Sequence, residues 1–200
     1  FANTNAINCF LPEDLGDFLH DHPQVRVSLE EQPSPAIVRA VAAGQVDIGV
    51  VADEGNLAGL ETLPYRRDRL VLIVPAAHPL AGEPAVAFAC VLGEPFVCLH
   101  AGSAIHTFMM NHAAQLGGRL DVRIQVRSFN AVCRMVAAGV GIGMVPRSAV
   151  GAADAVRLIE ITDPWAPRDL QLCVRSRSAL PAAAQALLAH LAGMGSGQAG

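Results

Sequence analysis

The chain has 200 residues, a net charge of −4, and 14 basic residues that are all arginine. Hydrophobic residues make up 52% and charged residues only 16%, which excludes a disordered chain and allows one large domain or two small lobes. The arginines are scattered, so the chain lacks a basic nucleic-acid-binding patch, and no apolar run reaches the roughly 20 residues that span a bilayer.

The first 52 residues predict alternating helices and strands. Apolar residues at helical spacing begin at Phe10, and Pro12 falls early enough to be tolerated or to kink that helix. Alternating apolar and polar residues at 25–30 predict a strand, and the apolar run at 46–52 predicts a strand that is buried on both faces. This order predicts a parallel sheet covered by helices.

The helix between these two strands, at 34–44, has clear end signals. Ser34 is predicted as its N-cap, Pro35 as its first helical residue, and Gly44 as the residue just past its end.

The second half of the chain repeats the pattern of buried strand, polar loop and helix. Its predicted elements are a strand pair in 60–75, a strand at 95–100, a helix in 102–117, strands at 121–128, 156–161 and 169–176, and a helix at 179–193. Because open α/β sheets bind ligands beyond the carboxyl ends of their strands, we expect the loops that follow these strands to carry the function.

The stretch SFNAVCRMVAAGVGIGMVP, at 128–146, contains three glycines but predicts no phosphate-binding loop. Such a loop needs a strand before the glycines and a helix after them, and here the order is reversed. Gly139 suits a left-handed helix cap, and Gly141 and Gly143 suit close backbone packing. Any ligand is expected at the other end of this helix, where the amides of Phe129, Asn130 and Ala131 lie.

No catalytic or metal-binding motif is found in the sequence. G-x-S-x-G, HExxH and Walker sequences are missing, and five cysteines without a CxxC pair predict reduced thiols rather than disulfides or zinc. Two histidine pairs do not share helical faces, so they are expected at the surface or as caps. These four histidines are His20, His22, His106 and His112. The charge run RRDR at 66–69 predicts a solvated face or local ion pairs.

Polar residues recur at the starts of the predicted helices, and two interpretations remain open for them. They are Asn3, Thr4, Asn5, Ser34, Gly102, Ser103, Ser128 and Asn130. Each one alone is explained by helix capping. Their recurrence in four matching loops favours a ligand site, because helix N-termini attract small anions such as carboxylates.

Four stretches in this order resemble the effector-binding domain of LysR-type transcriptional regulators, which has the two-lobed fold of type II periplasmic binding proteins. They are ANTNAINCFLPEDLGDFLHDHPQVRVSLEE, IVRAVAAGQVDIGVV, LETLPYRRDRLVLIVPAAHPLA and VRSFNAVCRMVAAGVGIGMVPRSAV. The resemblance implies an α/β fold with two Rossmann-like lobes joined by crossover strands near 68–75 and 168–175. Lobe I would hold 1–70 and 170–193, lobe II 71–169, and a flexible tail 194–200.

The resemblance also implies where an effector binds. Carried over by position, the contacts fall on Thr4, Asn5 and Ser34 in lobe I, and on Ser103, Phe129, Asn130, Val145 and Pro146 in lobe II, around the cleft of the family. Ala52 and Asp53 stand where some relatives with aromatic-acid effectors carry a basic residue, so the charge of the effector stays open. No catalytic residue, metal or cofactor is implied.

The partners implied are a small-molecule effector, such as a small organic acid, and further copies of the chain in a dimer or tetramer. Residues 10–30 of one subunit would pack against 106–127 of the other. The family binds DNA through an N-terminal winged helix-turn-helix, which this chain lacks, and we expect a cytoplasmic protein without a membrane partner.

Two other functions fit the same fold. A secreted solute-binding protein for a small organic anion would need a signal peptide upstream of Phe1, and reduced cysteines disfavour it. A two-lobed enzyme, such as a dehydratase or transferase, would need acids or bases that converge in the cleft, and the sequence places none there.

Overall fold

The computed structural model describes residues 1–52, 57 and 59–196, and these residues form an α/β structure. Its helices are α1 (Thr4–Cys9), α2 (Leu11–Asp21), α3 (Ser34–Ala42), α4 (Ala104–Gln115), α5 (Phe129–Ala137) and α6 (Ala182–Ser196). Its strands are β1 (Gly49–Ala52), β2 (Glu61–Arg66), β3 (Leu70–Pro75), β4 (Ala85–Val86), β5 (Pro95–Leu99), β6 (Asp121–Val126), β7 (Ile142–Pro146), β8 (Val156–Ile161) and β9 (Leu170–Val174).

The chain folds into two compact units. Unit 1 comprises Phe1–Asp68 and the chain from Arg168 onward, and unit 2 comprises Arg69–Pro167. None of the helices in the described residues is long and apolar enough to cross a membrane.

Unit 1 is built on a sheet with the strand order β1-β9-β2, in which both pairs are antiparallel. Helix α3 packs on one face, where Ile37 and Val41 meet Val51. Helices α2 and α6 pack on the other face, where Leu11 and Leu188 belong to a core that also contains Val50. Neighbouring residues of β1 therefore enter two different cores, which confirms that this strand is buried on both faces.

The strand expected at 25–30 does not form, and the sheet is not simply parallel. Among the described residues, the extended backbone near this segment pairs with Ala2, whose amide donates to the Glu30 carbonyl at 3.0 Å, and Ala2 in turn bridges Val50 in parallel. A strand needs a neighbour of several residues, and a single-residue partner cannot supply a hydrogen-bond ladder. The parallel part of unit 1 is therefore reduced to bridges at Ala2.

Unit 2 contains a mixed sheet with the strand order β4-β8-β3-β7-β5-β6. Strand β5 is parallel to both β6 and β7, whereas β3 is antiparallel to β7 and β8. The core of the unit holds large side chains from the strands, together with Phe88 and with Met109 of α4. The parallel half of this sheet positions the two helices that matter for the site below.

The glycine-rich stretch after α5 behaves as predicted. Gly139 follows the helix with φ 77°, in the left-handed region that glycine adopts without strain. A Cβ on Gly141 would lie 2.2 Å from the Pro95 carbonyl oxygen, and one on Gly143 would lie 2.8 Å from a methyl of Val132. The glycines thus end a helix and bring β7 close to its neighbours.

Two helix ends differ from the prediction. Pro33 is the N-cap of α3, so Ser34 is the first helical residue, and its hydroxyl accepts from the Ala52 amide at 3.2 Å instead of capping. Helix α6 continues to Ser196, so 194–196 are helical rather than part of a flexible tail, and 197–200 lie outside the described residues. Gly195 packs where a Cβ would be 2.8 Å from the Tyr65 carbonyl oxygen, so this last turn is held against β2.

Candidate functional site

In unit 2, two helix N-termini lie at the same edge of the sheet. Because β5 and β6 are parallel, their carboxyl ends point the same way, and α4 follows β5 as α5 follows β6. The His100 amide donates to the Val126 carbonyl at 2.9 Å, which ties the two strand ends together. The first-turn amides of both helices therefore face this edge, where the helix dipoles favour a negative charge.

The helix starts are capped by serine. The Ser103 hydroxyl accepts from the His106 amide at 3.2 Å, and the Ser128 hydroxyl accepts from the Ala131 amide at 3.2 Å. Ser103 is only 3% exposed, so its hydroxyl serves the helix from a buried position. Capping thus accounts for these two residues, and for Asn3, whose side chain accepts from the Ala6 amide at 2.9 Å.

The other predicted effector contacts of unit 2 differ in exposure. Asn130 is exposed in the first turn of α5, whereas the neighbouring Phe129 side chain is buried. Val145 and Pro146, at the end of β7, are buried as well. Of these four residues, Asn130 presents the accessible side chain.

The charge at this edge is positive. Residues 100–106 and 126–131 contain His100, His106 and Arg127 and no acidic side chain. His100 and Arg127 are exposed, beside the starts of α4 and α5. A small anion would meet helix amides and the Arg127 guanidinium here, and no carboxylate from these two segments.

His106 is not at the surface, contrary to expectation. It is 9% exposed, and its Nε2 lies 3.1 Å from the side-chain amide nitrogen of Gln125. Burial, and then the nearby charge of His100, lower the pKa of His106. The spacing of His106, Met109 and Ala113, all buried on one face of α4, is the signal that would have predicted this.

In unit 1, the predicted effector contacts are Thr4, Asn5 and Ser34. They lie near Ala2 in the chain or near Glu31 and Val50, the two residues that Ala2 bridges. Thr4 donates to the Glu31 carboxylate at 2.6 Å, and the Asn5 side chain donates to the Asp68 carboxylate at 3.0 Å. Ser34 is held at the end of β1 by its bond with the Ala52 amide. Asp53 lies outside the described residues.

Unit 1 contains a buried polar cluster that the sequence did not predict. Asp14 of α2 accepts from Arg66 at 2.7 Å and 2.9 Å and from the Tyr65 hydroxyl. Arg66 was expected on a solvated face or in a local ion pair, but it is 8% exposed and its partner is 52 positions away. Burial and the Asp14 carboxylate raise the pKa of Tyr65.

Titratable groups do not assemble into a metal site in the described residues. No three side chains of histidine, cysteine, aspartate or glutamate converge there. All five cysteines are reduced thiols, and burial raises the pKa of Cys98 and of Cys173 to about 11, so these two thiols stay protonated near neutral pH.

Capped helices at the carboxyl ends of parallel strands, as in unit 2, are typical of small-ligand-binding α/β domains. The match to a family model is decisive: residues 2–195 fit the LysR substrate binding domain. The chain belongs to this family.

Relatives by sequence are transcriptional regulators, which are not enzymes. An HTH-type transcriptional regulator of Bacillus subtilis, YwbI, is 30% identical over 183 residues. The match covers 90% of this chain and 61% of YwbI, so the chain spans about three-fifths of that relative. The solute-binding alternative is not favoured by these matches.

Solved structures show the same fold. The regulatory domain of CcmR from Synechocystis PCC6803, in complex with 2-PG, superposes with a TM-score of 0.82 at 22% identity, and the match covers 98% of this chain and 96% of that one. The effector-binding domain of QuiR, in complex with shikimate, has a TM-score of 0.76 at 18% identity, and the match covers 98% and 95% of the two chains. The type II periplasmic-binding-protein-like α/β fold predicted from the sequence is confirmed.

Proposed function

We propose that this domain is the effector sensor of a LysR-type transcriptional regulator and that it binds a small organic anion. The observation that carries the proposal is the edge of unit 2 where α4 and α5 begin, with His100 and Arg127 exposed beside them and no acidic side chain in the two segments. The ligands named for the similar domains, 2-PG and shikimate, support an acidic metabolite.

Binding is proposed to act by shifting a conformational equilibrium rather than by chemistry. A ligand moves such an equilibrium only through its difference in affinity for the two states, and couplings of about 1–3 kcal/mol are typical. The DNA-binding region would lie in the part of the full-length regulator that this chain does not span, and the regulator would act in the cytoplasm.

The effector contact is tested at Asn130, because its side chain is exposed at the first turn of α5. A panel of small carboxylates and phosphate esters, shikimate included, is screened for a rise in Tm. For the best ligand, we expect Asn130→Trp to abolish the rise, since the indole would block the helix amides. The Tm without ligand should change by less than about 4 °C, which corresponds to less than about 2 kcal/mol for a chain of this size.

The matched control is Arg134→Trp, at an exposed position one turn further along the same helix. This variant should keep the full ligand-dependent rise. Equal rises in Asn130→Trp and Arg134→Trp would show that the ligand does not bind at the start of α5, and a panel without any stabilising anion would contradict the proposed function.

We also propose that the chain dimerises with residues 10–30 of one copy against 106–127 of the other. The first segment contains five acidic residues and one arginine, and the second contains three arginines and one acidic residue, so the two carry opposite charges. Pairing the two segments twice gives the two-fold symmetry that is commonest in soluble oligomers.

A further inference from the structure

A carboxylate already occupies one of the predicted effector contacts of unit 1. Thr4 Oγ1 donates its only hydroxyl hydrogen to Glu31 Oε1 at 2.6 Å, and both side chains are accessible. None of the ion pairs found among the described residues includes Glu31. The negative charge of Glu31 therefore stays next to Thr4.

This bond determines what Thr4 can offer a ligand. A hydroxyl carries one hydrogen and two lone pairs, so after donating to Glu31 it can only accept. A ligand carboxylate at this position could not accept from the Thr4 hydroxyl and would lie near a like charge, which is repulsive even in water. A ligand hydroxyl or ammonium group would instead donate to Thr4 and be attracted by Glu31.

We propose that Glu31 is a specificity-determining residue, which makes the Thr4 end of the effector site select a hydrogen-bond donor and reject a carboxylate. The inference rests on the proposed function, because it takes the effector to reach Thr4. It narrows the effector class from small organic anions in general to hydroxy acids or amino acids, whose hydroxyl or ammonium group would meet Thr4.

The test uses three probes of equal chain length that differ at one end: 4-hydroxybutyrate, 4-aminobutyrate and succinate. Affinities are measured by calorimetry for the wild type, for Glu31→Gln and for Glu30→Gln. In Glu31→Gln the side-chain amide oxygen still accepts the Thr4 hydroxyl, so only the charge is removed. Glu30 is the matched control, because it is a neighbouring exposed carboxylate that accepts from Gln32 and not from Thr4.

In the wild type, the hydroxy and amino probes should bind about fivefold to tenfold more tightly than succinate, as expected for one like-charge contact near the surface. Glu31→Gln should reduce this preference to less than about twofold, through better binding of succinate and weaker binding of 4-aminobutyrate. Glu30→Gln should leave the preference as it is in the wild type.

Three results would overturn the inference. The wild type could bind succinate as tightly as the other two probes, Glu31→Gln could keep the wild-type preference, or none of the three probes could bind. Failure of the proposed function gives a different result. In that case no anion of the wider panel raises the Tm of the wild type, so there is no ligand-dependent rise for Asn130→Trp to abolish.

Discussion

At the scale of single residues, Asp14, Tyr65 and Arg66 form a buried polar cluster in unit 1. The carboxylate accepts three hydrogen bonds from the other two side chains, and the Arg66 guanidinium also lies 5.7 Å from the centre of the Phe10 ring. Both charges of the pair are almost completely buried. A buried pair contributes modestly as long as it is intact, but losing one partner leaves an uncompensated charge.

We therefore expect Asp14→Ala to lower the free energy of unfolding by about 3–5 kcal/mol, which is the usual cost of breaking a buried ion pair. Asp17→Ala, at an exposed position of the same helix, should change it by less than about 0.5 kcal/mol. Urea unfolding followed by circular dichroism measures both variants. If Asp14→Ala lowered the free energy of unfolding as little as Asp17→Ala, Arg66 would have to find water or another acceptor once the Asp14 carboxylate is gone.

At the scale of secondary-structure elements, Gly141 and Gly16 have opposite effects on stability. Gly141 leads into β7, where a Cβ would lie 2.2 Å from the backbone oxygen of Pro95. Gly16 lies in α2, and outside the backbone of its own helix and its chain neighbours no atom lies within 4 Å of the Cβ position. Close packing requires glycine at position 141. At position 16, glycine only makes the helix less stable, because its backbone loses more conformational entropy on folding than that of alanine.

Alanine at these two positions should therefore change stability in opposite directions. Gly141→Ala should lower the free energy of unfolding by about 1–3 kcal/mol, because β5 and β7 must move apart. Gly16→Ala should raise it by up to about 1 kcal/mol, which is the difference in helix propensity. Thermal and urea unfolding check the signs, and a Gly141→Ala protein as stable as the wild type would mean that the two strands separate at little cost.

The elements that the sequence predicts well are those with local signals. Helices α3 and α5 follow from apolar spacing and from end signals within the segments themselves, as at Gly44 and Gly139. The segment 25–30 has the alternation of a strand, but strand formation depends on a partner elsewhere in the chain, and Ala2 alone is too short. Alternation therefore fits the half-buried Val25 and Val27, but Leu29 is exposed and the ladder does not form.

The candidate site divides in the same way. Ser103, Ser128 and Asn130 could be placed at helix starts because capping is local. The hydrogen bonds from Thr4 to Glu31 and from Asn5 to Asp68 span 27 and 63 positions, and no spacing rule connects such residues. The structure alone gives the acceptors that surround the predicted contacts of unit 1.

At the scale of the whole molecule, exposed apolar residues bear on self-association. The large hydrophobic side chains exposed in the described residues are Leu29 at 43%, Leu116 at 50% and Leu158 at 38%. Leu29 and Leu116 fall in the two segments proposed to pair, 10–30 and 106–127, whereas Leu158 lies in β8. A dimer that buries both segments would remove two of these three leucines from water.

Leu29→Arg should therefore shift the protein towards the monomer, because it buries a charge and places it opposite the arginine-rich segment 106–127 of the other copy. We expect the dissociation constant to rise by at least about tenfold, which corresponds to about 1.4 kcal/mol. Light scattering at micromolar concentration should then give the 20.9 kDa mass of one chain instead of twice that mass.

The matched control is Leu158→Arg, which makes the same chemical change at a position outside both segments and should remain a dimer. A monomeric wild type, or equal dissociation of the two variants, would contradict this interface, and the second result would direct the search to surfaces that include β8.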